Sequence, residues 1–203
     1  RDLLDEVCSM AVDIGGYRLA WVGKALDDPE KSIVPIAQSR FSDQPLEILN
    51  ISWGDSPNGK GPTGRAIRSG IPSLTRNIQA DHALDPEHEM AISHDWRSSI
   101  SLPLRVDGRI FAALNLYAGT VDAFDDEEIT LLENLGSELA VGLQIQRSRQ
   151  ALARSEANLH KAQRLARIGH FQFHPMIDEW TSSPVLDEIF GIDQNYARTS
   201  QGW

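Results

Sequence analysis

Residues 54–61, Gly-Asp-Ser-Pro-Asn-Gly-Lys-Gly, nearly spell a phosphate-binding loop. That chemistry needs Ser or Thr after the lysine to hold magnesium, and a helix opening at that point. Here Gly61-Pro62 follows, and the helix cap is expected only at Thr63. The segment therefore reads as a glycine-rich loop before a helix. His82, His88 and His94 are six apart, a spacing that fits no common zinc pattern, and Asp81, Asp85, Glu87, Glu89 and Asp95 make the stretch merely polar. Cys8 is the only cysteine, so no intrachain disulfide and no cysteine-based zinc site can form. It reads as a small buried apolar residue of the first helix. His160 lacks the acidic residue and proline that follow a phosphoacceptor histidine, and reads as an exposed helix position. No nucleophile–base pair or carboxylate dyad stands at a recognisable spacing, so the chain is not expected to be an enzyme.

The elements that must position these residues follow from periodicity. Leu3, Leu4, Val7, Met10 and Ala11 fall at helical spacing, predicting a helix over residues 1–14. Residues 17–25 and 32–39 read as strands, residues 63–69 as a short helix ended by Gly70, and residues 71–75 as a strand. The plainest unit is a hairpin, residues 98–106 and 109–118 about Asp107-Gly108. On its first strand Ile100, Leu102 and Leu104 alternate with Arg97, Ser99 and Ser101, so the aliphatic set should face helices and the polar set the other side. Counting back from the turn without a bulge pairs Ser98 with Tyr117 and puts Tyr117 on the aliphatic face; a bulge would bring it round to Ser99. Trp21, Trp53 and Trp96 are large apolar payloads that read first as core. The order predicts an α+β fold, an antiparallel sheet with helices on one face.

Four residues, Asp125-Asp126-Glu127-Glu128, then open a long helix, expected over 125–168. Ile145, Leu152 and Leu159 fall seven apart, with Ser148, Ser155 and Ala162 three beyond each, a heptad with apolar and small positions that predicts a two-stranded coiled coil. Arg147, Arg149, Arg154, Lys161, Arg164 and Arg167 read as its solvated basic face.

Composition agrees with a globular chain. The 203 residues are 41% apolar and 24% charged. The net charge of −10 argues against nucleic-acid binding, and no apolar run approaches the roughly 20 residues that span a bilayer. Residues 1–145 carry 12 basic and 23 acidic side chains, residues 146–203 7 and 6, so the balance changes inside the long helix. The chain begins at Arg1 and is expected to be a piece of a longer protein; a cytoplasmic setting fits its cysteine usage.

In their order, residues 15–23 (Gly-Gly-Tyr-Arg-Leu-Ala-Trp-Val-Gly), 61–67 (Gly-Pro-Thr-Gly-Arg-Ala-Ile), 96–104 (Trp-Arg-Ser-Ser-Ile-Ser-Leu-Pro-Leu), 107–117 and 124–128 resemble a GAF domain over residues 1–145. Residues 165–173 and 183–191 resemble the opening of a PAS domain, over 169–203, joined by a coiled-coil signalling helix over 146–168. The resemblance implies a non-catalytic sensory module of a bacterial signalling protein. A small ligand or partner would sit on the polar face of the sheet, with Trp21, His88, Trp96, Arg97, Ser99, Ser101 and Tyr117 as the candidate contacts and the histidine-containing segment as a lid. A homodimer through helix 125–168 would relay the change to the PAS domain. From there it would reach an output, a diguanylate cyclase or phosphodiesterase of cyclic-di-GMP signalling, or the histidine kinase of a two-component system. The partial PAS stretch is expected to pack on a dimer mate or on the first domain. The alternative is a ligand-free dimerisation scaffold. The cofactor is unknown. No covalent bilin is expected, since the lid holds no cysteine, and neither the cysteines of GAF-type methionine sulfoxide reductases nor the Asn-Lys-Phe-Asp signature of cyclic-nucleotide GAF domains is present.

Overall fold

A computed structural model describes residues 2–39, 50–81 and 91–202. By its contacts the chain divides into two compact units, Arg1–Gln144 and Ile145–Trp203.

The first unit is built on five antiparallel strands in the order β2-β1-β5-β4-β3, with β1 Leu19–Ala25, β2 Ile33–Gln38, β3 Ser73–Thr75, β4 Ser98–Val106 and β5 Arg109–Ala118. The β4–β5 turn forms as the sequence predicts. Asp107 and Gly108 both take positive φ, 52° and 76°, the pair a two-residue hairpin of right-handed twist requires. The register does not follow the simple count. A bulge between Leu104 and Arg105 shifts the pairing by one, so Ser99 faces Tyr117 and Ser98 faces Ala118. One extra residue turns every later side chain to the other face, and that brings Tyr117 beside Ser99.

The sheet thus has two distinct sides. On one, Ala20, Val22, Ile100, Leu102, Leu104, Leu114 and Leu116 pack against α1 (Asp2–Asp13), through Leu4 and Cys8, and against α3 (Asp126–Ala166), through Leu132, Leu139 and Leu143. On the other, Leu19, Trp21, Ala113 and Tyr117 join Ile51, Ile67, Ile78 and Trp96 in a second cluster beneath α2 (Pro62–Ser69). The helix α2 begins differently from expectation. Its N-cap is Gly61, Pro62 occupies the first turn, and Thr63 lies inside the helix with its side chain turned to the sheet. Proline at that position gives up only an N–H that lies outside the intrahelical ladder, and its fixed φ suits the first turn. Gly70 closes α2 at φ 71°.

The helix α3 is a single element of 41 residues. Asp125 caps it, its carboxylate accepting from the Glu128 N–H at 2.8 Å. Among the described residues no helix is long and apolar enough to cross a membrane.

In the second unit, β6 (Phe171–His174) and β7 (Glu179–Ser182) form a two-stranded antiparallel hairpin, followed by α4 (Pro184–Phe190). The Ser183 hydroxyl caps α4, accepting from Leu186 N–H, and also takes the His170 N–H. Trp180 is its buried centre, edge-on to Phe171 and Tyr196, with the Arg198 guanidinium 5.9 Å over its ring and paired to Asp187.

Candidate functional site

The face turned from α1 and α3 carries two cross-sheet rows. Leu19, Tyr117, Ser99 and Thr75 form one, and Trp21, Asn115, Ser101 and Ser73 the other. Asn115 is the polar centre. Its Oδ1 accepts from the Thr63 hydroxyl at 2.8 Å and the Ser101 hydroxyl at 2.7 Å, while its Nδ2 donates to the Ala113 and Trp21 carbonyls at 3.1 and 3.4 Å. All of these groups are buried. The network ties α2 to the middle of the sheet, and each polar atom of it is matched.

Two groups nearby are not matched. The Ser99 hydroxyl and the Trp21 indole N–H are buried and meet no hydrogen-bond partner among the described residues. Leaving a buried donor unpaired costs about 1–3 kcal/mol. Asn77, at the rim beside β3, holds a third such atom in its Oδ1.

Trp96 lies against Tyr117 (centroids 4.6 Å apart, planes tilted 40°) and against the His94 ring at 5.4 Å. Arg97 shares strand parity with Ser99, but its guanidinium turns to the rim. Nε donates to Asp95 at 2.8 Å and Nη1 to Gln79 at 3.1 Å. That hydrogen bond, with Arg18 as a further cation, holds the Asp95 carboxyl below the usual carboxylate range. The fold therefore brings Trp21, Trp96, Ser99, Ser101 and Tyr117 to one side of the sheet and sets Arg97 at its edge. Ser101 is committed to Asn115. His88, like His82, lies outside the described residues. The two residues that sequence reasoning missed are Asn115 and Thr63. A signal existed for the first, since an asparagine inside Ala-Ala-Leu-Asn-Leu, on a central strand, demands buried partners.

The glycine-rich loop has the opposite polarity to a phosphate cradle. Its carbonyls, not its N–H groups, converge, and Arg68 Nη1 donates to those of Trp53, Gly54 and Gly59 at 3.0, 2.8 and 2.7 Å. A Cβ at Gly64 would stand 2.4 Å from the Gly59 carbonyl oxygen and 2.6 Å from that of Ser52, so the close approach of helix to loop requires glycine there. Among the described residues no group of His, Cys, Asp and Glu is arranged to hold a metal ion. Cys8 is fully buried in α1; burial first, then the Asp5 charge, pushes its thiol up to about 12, the reverse of what a thiolate nucleophile needs.

Comparison with known proteins gives one family. The model of the GAF domain matches residues 1–144. No curated protein matches the chain. Among solved structures, the blue-light absorbing form of the PixJ GAF domain of Thermosynechococcus elongatus superposes with a TM-score of 0.57 at 15% identity, covering 79% of this chain and 92% of that one. The GAF domain of an Acinetobacter phosphoenolpyruvate-protein phosphotransferase gives 0.54 at 11% identity, over 73% and 83%. The free methionine-R-sulfoxide reductase of Neisseria meningitidis gives 0.55 at 24% identity, over 73% and 78%. At these identities the likeness is one of fold.

Proposed function

The chain belongs to the GAF domain family, a family of ligand-binding sensory and regulatory domains, and from that premise we propose that its first unit is a non-catalytic receiver for a small ligand. The ligand binds on the Trp21–Ser99 face. Its signal passes along α3, paired with that of a second copy, to the PAS domain whose opening residues 169–203 resemble, and on to a cyclase, phosphodiesterase or kinase output in the cytoplasm of a bacterium. Binding that favours one packing of the paired helices over another would carry the change. One observation carries the ligand reading. Ser99 and Trp21 hold buried donors that meet no partner among the described residues, beside a network in which Thr63, Ser101 and Asn115 are all satisfied. Thiol redox chemistry would have to use Cys8, the single cysteine of the sequence, which is buried and held protonated.

Native mass spectrometry of protein purified from cells tests this. A retained small molecule is expected, lost in Ser99→Ala and in Trp21→Phe, which deletes the indole donor and keeps the ring. No retained mass, with Ser99→Ala as stable as the parent and no compound raising the melting temperature, would favour the second reading, a ligand-free dimerisation scaffold. That reading rests on the packing of Trp21 and Trp96, each only 1% exposed, into the face where a ligand would lie.

A further inference from the structure

The charges of α3 are sorted along its length. Residues 126–145 hold five carboxylates and no cation, and residues 146–166 hold five cations and one carboxylate, Glu156. The helix dipole accounts for charges in the first and last turns only. Glu133, Glu138, Arg147, Arg149 and Arg154 lie beyond them.

The exposed side of the helix is sorted as well. A stripe of alternating four- and three-residue steps runs from Leu131 to Leu159, flanking the buried Leu132, Leu139 and Leu143. Its apolar members Leu131, Leu135, Ile145, Leu152 and Leu159 are 37 to 62% exposed. Its charged members are Glu138, Arg149 and Glu156. Leu131 and Leu135, with Met10 of α1 and Ile14 just beyond its end, wall a groove of about 330 Å³.

We propose that α3 pairs antiparallel with α3 of a second copy of this chain, Glu138 of each lying beside Arg149 of the other. That one register fixes the rest. Leu135 falls opposite Leu152, at the groove, and Ile145 falls opposite Gly142, whose Cβ direction meets Leu3 of α1. Two-fold symmetry makes each pair occur twice. Two layers are mismatched, Leu131 with Glu156 and Leu159 with Glu128. A parallel pair in register on this stripe would instead set Glu138 on Glu138, Arg149 on Arg149 and Glu156 on Glu156, and a parallel pair on any stripe, the 145, 148, 152, 155 seam included, would lay the acidic half of each helix along the acidic half of its mate. Like charges facing across a seam disfavour that partner, and opposite charges select this one.

The inference rests on the paired-helix part of the proposed function and adds its orientation. The test uses the full 203-residue chain with Cys8→Ala, and two further single variants, Glu138→Cys and Arg149→Cys, oxidised apart and mixed. A disulfide in the mixture, and in neither variant alone, is expected. Closure of Glu138→Cys on itself, or a monomer by sedimentation, would overturn the proposal. Charge exchange gives an independent reading. E138R and R149E should each weaken the dimer by about tenfold, and the double variant should restore it. In a parallel pair neither single change exchanges attraction for repulsion, and an unchanged dimer constant in both would also overturn the proposal. A parallel dimer leaves the relay standing, a monomer removes it, and neither touches ligand binding by Ser99 and Trp21.

Discussion

Replacing Asn115 with alanine isolates the centre of the candidate site. The substitution removes the acceptor of two buried hydroxyls, Thr63 and Ser101, which donate to no other group among the described residues, and two amide donations to backbone carbonyls, one of them long at 3.4 Å. Orphaning each hydroxyl costs about 1–3 kcal/mol, reduced where it turns to another acceptor. The carbonyls keep their strand partners and add little. A total of about 2–4 kcal/mol follows, on the order of 10 °C in melting temperature for a unit of this size. Thr63→Val and Ser101→Ala alone should each cost about 1 kcal/mol. In the Asn115→Ala background the same two changes remove the orphans themselves and should restore about 1–2 kcal/mol, because an apolar pair of matched shape carries no desolvation penalty. Urea denaturation followed by tryptophan fluorescence measures all five proteins. The reasoning fails if Asn115→Ala costs under about 0.5 kcal/mol, or if its effect adds to that of Thr63→Val without a coupling of at least that size.

Other consequences follow from single contacts. Arg68→Ala should cost about 1–2 kcal/mol and expose the 54–61 loop to proteolysis, because the carbonyls of Trp53, Gly54 and Gly59 lose their shared donor; protease-cut mapping decides. Gly64→Ala should destabilise by more than about 2 kcal/mol, since both atoms in the way are backbone oxygens; a thermal shift under 2 °C would contradict the close approach. Native protein at pH 8 should resist iodoacetamide at Cys8 while the unfolded chain reacts fully, as intact mass reports. The folded thiol lies near 12 and the unfolded one near 9.0, so its contribution is complete below pH 9 and is lost as the pH rises toward 12, by about 1.4 kcal/mol per pH unit. In Cys8→Ala that alkaline decline should flatten. Asp125→Ala should cost about 1 kcal/mol by uncapping α3.

Local patterns in the sequence determined the elements and the face each presents. Alternation along residues 98–106, the Asp107-Gly108 turn and the acidic opening of α3 are physics of neighbouring residues, and they foretold the antiparallel sheet; the expected confinement of helices to one face does not hold, since α2 covers the face opposite α1 and α3. The sequence also placed Ser99 and Ser101 on a common side of their strand, because strand parity needs only a count, whereas the register across β1, β5 and β4 brought Trp21 to that side. Tertiary structure decided what a count cannot reach. Tyr117 joined Ser99 only through the bulge at Leu104 and Arg105, an irregularity with no signature in residue type. Thr63 became a partner of Asn115, 52 residues away, instead of a helix cap, and Arg68 rather than a phosphate filled the glycine-rich loop. Arg97 left its strand neighbours for Asp95 at the rim. Each of these is a choice among partners for a polar group leaving water. Such choices depend on which carbonyls, hydroxyls and carboxylates the closed fold brings within about 3 Å, a distance no local periodicity encodes.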